Sequence, residues 1–177
     1  MTVLVAYATK GGSTAEIAGW IAEELRAAGL PVEVRPAAEV SGLAPYDAVV
    51  LGAAVYAGGW HNDARAFAHR FAVEAPPRPV WLFSSGPLDD VADVRDLPPV
   101  HQAEIAAHEL RARGHATFGG KLSAEAHGWL GFVARRLARE GHGGDFRDPP
   151  RVRAWAREIA AALAAGPAGS GAGGSGT

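Results

Sequence analysis

Val3-Leu4-Val5-Ala6-Tyr7-Ala8-Thr9-Lys10-Gly11-Gly12-Ser13-Thr14 decides how this chain is organised. A short apolar run breaks into a hydroxyl- and glycine-rich turn. The turn opens into a segment of helical period, with Ile17, Ile21 and Leu25 on one face and Ala18 and Trp20 beside them. It therefore lies between a buried strand and the first turn of a helix. The N–H groups of such a turn have no partners inside the helix, and the helix dipole adds partial positive charge there. A phosphate group binds at such a place without needing a cationic side chain. Gly11 and Gly12 let the backbone come close, and Thr9, Ser13 and Thr14 offer hydroxyl groups. The same letters also read as a capping box, Ser13-Thr14-Ala15-Glu16, that only starts the helix. Neither G-x-G-x-x-G nor G-x-x-x-x-G-K-[ST] occurs in this loop, which counts against dinucleotide and nucleoside-triphosphatase chemistry.

Outward from this stretch, strands and helices alternate. Gly29 and Pro31 close the first helix, and Val32-Glu33-Val34 reads as a second strand. Tyr46 to Leu51 is an apolar third strand, suited to a position buried on both faces. A glycine-rich loop, Gly52 to His61, follows it. A helix is expected from Asn62 to Ala75, with Phe67 and Phe71 inward and Pro76 and Pro77 at its end. Val80 to Ser85 reads as the fourth strand, and Val100 to Arg113 as a helix with Ile105 and Leu110 inward, closed by Gly114. His115 to Phe118 is a fifth strand, and Val152, Trp155, Ile159 and Leu163 mark the last helix. This alternation predicts an α/β fold, a five-stranded parallel sheet of order 2-1-3-4-5 with helices on both faces. An extra helical segment follows strand five. The loops after strands one, three and four then converge where strand order reverses, which is where such sheets bind ligands.

The domain is expected to span residues 1–165, and the Gly-, Ala- and Ser-rich stretch 166–177 to be a disordered tail. Without cysteine there are no disulfides, thiolate metal sites or thiol nucleophiles. His101, His108, His115, His127 and His142 are scattered without ligand spacing, H-E-x-x-H does not occur, and no metal is expected. Nothing points to nucleic acid. No signal peptide is expected before the first strand, and no apolar run is long enough to span a bilayer, so a cytoplasmic location is expected. Charge is unevenly spread. Residues 1–100 carry seven Lys and Arg against twelve Asp and Glu, residues 101–177 ten against seven. Arg135, Arg136, Arg139, Arg147, Arg151, Arg153 and Arg157 supply most of the basic excess. They read either as a solvated face or as a surface for a membrane or an anion.

Thr9-Lys10-Gly11-Gly12-Ser13-Thr14 at the end of strand one resembles the FMN-phosphate loop of flavodoxins. Gly52 to His61 resembles the flavodoxin loop that flanks the isoalloxazine ring. The resemblance narrows on Tyr46 to Ala53, on Gly144-Asp145-Phe146-Arg147-Asp148 and on Arg153-Ala154-Trp155-Ala156. With the extra helical segment, these look like the branch of flavodoxin-domain proteins that includes the menaquinone-dependent protoporphyrinogen IX dehydrogenases. It covers nearly everything from Thr2 to Leu163. Some members of that group carry a basic residue where Tyr56 stands.

The resemblance implies FMN as cofactor, held by Thr9, Lys10, Gly11, Gly12, Ser13 and Thr14. The second loop contributes Ala53, Ala54, Val55, Tyr56, Ala57, Gly58, Gly59 and Trp60, and the third Ser84, Ser85, Gly86 and Pro87. Tyr56 and Trp60 are the stacking candidates, and the Gly58-Gly59 peptide has the freedom to turn toward the flavin. His61 is a candidate proton relay. The implied activity is an FMN-dependent dehydrogenation of protoporphyrinogen IX with a quinone acceptor. Trp129 and Phe132, with Arg135, Arg136 and Arg139 beside them, read as a helix packed on the domain edge. The alternative is an interfacial helix touching porphyrin or the inner face of the cell membrane. A flavodoxin-type electron carrier, a quinone reductase and a flavin-free interaction domain are the competing readings.

Overall fold

The computed structural model describes residues 1–56, 58–73, 78–86, 99–120 and 147–166. Strand β1 (Val3–Ala8) leads into helix α1 (Ser13–Ala27) and then β2 (Val32–Pro36). Strand β3 (Ala48–Tyr56) turns back as the two-residue β4 (Gly59–Trp60), followed by α2 (Asn62–Phe71) and β5 (Val80–Gly86). Then come α3 (His101–Glu109), β6 (Gly114–Gly119) and α4 (Pro149–Ala164). The sheet runs β2-β1-β3-β5-β6 with every neighbour in this path parallel, and β4 pairs antiparallel with the end of β3. This is the expected 2-1-3-4-5 order with one small hairpin added.

The period of two along each strand divides the interior into two cores. Leu4 and Ala6 of β1, Val49 and Leu51 of β3 and Leu82 of β5 face α2 and α3. Val3, Val5, Ala48, Val50, Trp81 and Phe83 face α1 and α4. Helix α1 buries Ile17, Ala18, Ile21, Ala22 and Leu25, as its period requires. It ends in a Schellman motif: Gly29 takes φ 84, its N–H reaches the Arg26 carbonyl, and Leu30 N–H reaches the Leu25 carbonyl. Asp148 caps α4 by accepting from Arg151 N–H at 3.1 Å, with prolines at the helix start.

The uneven charge resolves into a clamp between α1 and α4. Arg153 binds Glu23 at 2.9 Å and Glu24 at 3.2 Å, Arg157 binds Glu24 at 3.1 Å, and Arg147 binds Glu16. The hydrogen bond from Arg153, then that from Arg157, holds the Glu24 carboxyl below the usual carboxylate range. These three arginines answer the acidic first half of the chain. Arg135, Arg136 and Arg139 lie outside the described residues, as do the rest of the segment after β6 and the tail from Pro167.

Several details differ from the sequence reading. Helix α2 stops at Phe71 rather than Ala75. In α3, Ala103, Ala106 and Leu110 face the core while Ile105 is 44% exposed, so the phase expected from Ile105 is not the one adopted. Arg111, not Gly114, turns the chain after α3, taking a left-handed φ of 51, and Gly114 already belongs to β6. Strand β3 runs five residues beyond Leu51. Gly52, Ala53 and Ala54 continue the ladder against Phe83, Ser84 and Ser85. Small residues carry little strand propensity, which concealed the extension.

Gly52 has a definite packing reason. A Cβ built there would lie 1.9 Å from the Phe83 ring, which crosses this position to meet Phe118 and Trp155 at 6.0 and 6.2 Å. Gly52→Ala is expected to cost about 1–3 kcal/mol through forced repacking. The urea midpoint reads this directly, and an unchanged midpoint would contradict the packing described.

Candidate functional site

The C-terminal ends of β1, β3 and β5 and the start of α1 lie together, as the strand order requires. Gly12 is the N-cap of α1, at φ 84, and no side chain caps the helix. The Thr9 hydroxyl oxygen instead accepts from Gly12 N–H at 3.1 Å, folding the loop back on itself. The capping box does not form, because the helix already begins at Ser13 and its N-cap is Gly12; Glu16 is engaged by Arg147, whose guanidinium also lies 5.2 Å from the Trp20 ring centroid. The first-turn amides of Ser13, Thr14 and Ala15 are left without a capping side chain. That is the arrangement an anion needs.

Three hydrogen bonds tie the loops to one another. The Thr14 hydroxyl, fully buried, meets the Ser85 hydroxyl at 2.7 Å, joining α1 to the end of β5. The Trp60 indole N–H donates to the Ser84 hydroxyl oxygen at 3.0 Å, joining the β3–β4 hairpin to β5. Lys10 N–H donates to the Tyr56 hydroxyl oxygen at 3.2 Å, so the Tyr56 side chain overhangs the first loop. The Lys10 ammonium lies 5.6 Å from the same ring's centroid. Gly58, at φ 77, is exposed at the tip of the hairpin, a backbone conformation suited to glycine.

The expected site residues divide by role. Thr9, Lys10, Gly11, Gly12 and Ser13 form the open loop around the α1 start. Thr14, Ser84 and Ser85 are buried and bonded to neighbours, so their side chains fasten the site rather than face into it. Trp60 is 3% exposed and packs in the core shared by α2 and α3, whereas Tyr56 is only half-buried. Ala53 and Ala54 are buried in β3, and Val55 packs against Gly86. His61 caps α2: its Nδ1 accepts from Asp63 N–H at 3.2 Å, and its ring is 11% exposed, edge-on to Tyr56. Ala57, Pro87, Trp129, Phe132, Arg135, Arg136 and Arg139 lie outside the described residues.

Two participants escaped the sequence reading. Gln102 on α3 accepts from Trp60 N–H at 3.0 Å, fixing the hairpin from the other side. His115 on β6 places Nε2 2.9 Å from the Ser84 hydroxyl. No local pattern announces either, because both partners are distant in sequence.

The donor set fits a phosphorylated planar ligand: a helix start without a side-chain cap, a glycine N-cap, hydroxyl-bearing neighbours, and Tyr56 beside them. The class is thus an FMN-type α/β domain. The family described as "Flavodoxin domain" matches residues 4–142, and the chain belongs to that family. FMN is accordingly its cofactor, and the residues at the α1 start fit the flavin phosphate. The chain is 24% identical over 172 residues to the protoporphyrinogen IX dehydrogenase [quinone] of Escherichia coli K12, covering 90% of this chain and 95% of that one. A flavodoxin from the domain Archaea aligns with TM-score 0.64 at 15% identity, over 93% of this chain and 99% of that one. A cysteine-to-serine variant of a Pseudomonas aeruginosa flavodoxin aligns with TM-score 0.61 at 18% identity over the same shares.

Burial pushes the His115 imidazole down to about 4. Its unfolded value is near 6.5, so between about 6.5 and 4 only the unfolded chain takes up this proton. The stabilisation is complete above 6.5 and is lost as pH falls toward 4. His115→Gln is expected to show a shallower decline in urea midpoint across that window than the unaltered chain. Parallel declines would contradict a half-buried, neutral His115.

Proposed function

We propose that this protein is an FMN-dependent oxidoreductase that oxidises protoporphyrinogen IX and passes the electrons to a quinone, a step of haem biosynthesis. At the coarser level the family makes it an FMN oxidoreductase or electron carrier. What carries the finer reading is the similarity to the Escherichia coli enzyme, which extends over nearly the whole of both chains. Bound FMN supplies the redox centre. The protein's part is placement. The amides of residues 13–15, with Thr9, Ser13 and Lys10, hold the phosphate. Tyr56 covers one side of the ring, and the backbone of Gly58-Gly59 and of Ser84-Ser85-Gly86 borders its edges, with Ala57 and Pro87 in the same two loops.

Porphyrin propionates are anionic, and guanidinium groups bind carboxylates bidentately. We assign Arg135, Arg136 and Arg139, beside Trp129 and Phe132, to porphyrin or membrane contact. Among the described residues no helix is long and apolar enough to cross a membrane, so any membrane contact by them is peripheral. A carrier flavodoxin or a quinone reductase is the second reading, supported by the solved flavodoxins that share the fold. A flavin-free interaction domain does not suit a flavodoxin-family chain with this donor set.

Anaerobic oxidation of protoporphyrinogen IX by the FMN-loaded protein, with and without a menaquinone analogue, tests the proposal by porphyrin fluorescence. Quinone-dependent turnover that vanishes without FMN is expected, with a raised KM when the three arginines are replaced by Ala. Full FMN binding with no porphyrin formed would leave the carrier or quinone-reductase reading in its place.

A further inference from the structure

The Ser84 hydroxyl has two neighbours and one proton. Trp60 Nε1 only donates, so at 3.0 Å the Ser84 oxygen is the acceptor. The second neighbour is His115 Nε2, at 2.9 Å. Ser84 is 1% exposed and makes no further hydrogen bond among the described residues. If His115 Nε2 donated, the Ser84 proton would be buried without an acceptor, a cost of about 1–3 kcal/mol. The Ser84 O–H therefore donates to a bare Nε2, and His115 carries its proton on Nδ1. The order is directional: Trp60 N–H to Ser84, Ser84 O–H to His115.

This chain of bonds ends in the β3–β4 hairpin. Trp60 pairs with Val55, and Gly59 with Tyr56, so the indole anchors the strand that carries the Tyr56 ring. Gln102 holds the same residue by its backbone N–H. The indole is thus fixed by Ser84 and the backbone by Gln102. His115 sits on β6, two strands from β3, and its hydrogen bond is to Ser84 rather than to the open loop.

We propose that His115 is a positioning residue for the flavin site, acting through Ser84 and Trp60 to fix the hairpin that places Tyr56. This rests on the FMN reading above. A neutral imidazole is required, since a protonated ring would turn Nε2 into a donor and reverse the Ser84 bond. Burial keeps it neutral. The charged groups of α3, on the same side of the sheet, are His101, Glu104, His108 and Glu109; the first three are exposed, and Glu109 lies 3.6 Å from His69 of α2. None of them contributes to the state of His115.

His115→Leu removes the acceptor and puts an apolar side chain in its place, whereas His115→Gln can return an acceptor near the Nε2 position. In the FMN-free protein, the Trp60 indole N–H resonance, assigned by Trp60→Phe, is expected to move in the Leu variant and to return toward its original position in the Gln variant. FMN affinity is expected to fall about tenfold in His115→Leu, the size of one hydrogen bond, and to recover in His115→Gln. Ser84→Ala is expected to match the Leu variant, which covers the case in which that variant does not fold. An unmoved indole resonance, a moved resonance with unchanged FMN affinity, or equal losses in the Leu and Gln variants would each overturn the proposal. Failure of the unaltered protein to bind FMN would overturn the reading beneath it, and would be seen before any variant is compared.

Discussion

The amides of the first turn of α1 are the constraint on which the site depends. A helix start leaves its N–H groups without intrahelical partners, and here the usual remedy is missing, because the N-cap is a glycine. The third helical residue is Ala15, so no capping box can form, and Glu16 in the same turn pairs with Arg147, whose side chain is 9% exposed. The result is a concentrated set of donors at the end of β1. Such a helix start is useful only if it stays put, and the buried Thr14–Ser85 hydroxyl bond anchors it to β5.

The surrounding structure extends the same logic. Buried polar groups are costly unless paired, and no buried side-chain nitrogen or oxygen among the described residues lacks a partner. Thr14, Ser84, Ser85, Trp60 and His115 satisfy one another at the level where three loops meet. Apolar packing fixes the layers, while these few polar bonds fix how the loops stand relative to each other. The α1–α4 ion pairs are mostly exposed and contribute little stability individually. Their effect on charge is larger, since they compensate the basic excess of the C-terminal third near α1.

Much of the fold was legible because it follows from period alone. Alternating strand and helix segments pointed to the parallel sheet, five strands without a dinucleotide fingerprint to its order, and Ile17, Ile21 and Leu25 to the buried face of α1. The end of β3 was not legible, since Gly52-Ala53-Ala54 resembles a loop until Phe83 is seen lying across it. In α3, alanines rather than Ile105 occupy the buried face, and a small-residue stripe gives a weak hydrophobic signal. At the candidate site, the glycine- and hydroxyl-rich turn that opens α1 was readable as a local pattern. The burial of Trp60 and the part played by Gln102 and His115 depend on partners from other strands and helices, which no window of sequence contains.

The comparison that tests the account most directly is the affinity of the ligand-free protein for FMN against riboflavin, measured by flavin fluorescence quenching. The two differ only in the phosphate. If the start of α1 holds that group through charge-assisted hydrogen bonds, FMN binds at least about 100-fold more tightly. Equal affinities would show that the first loop and helix start do not recognise the phosphate, and would contradict the central claim.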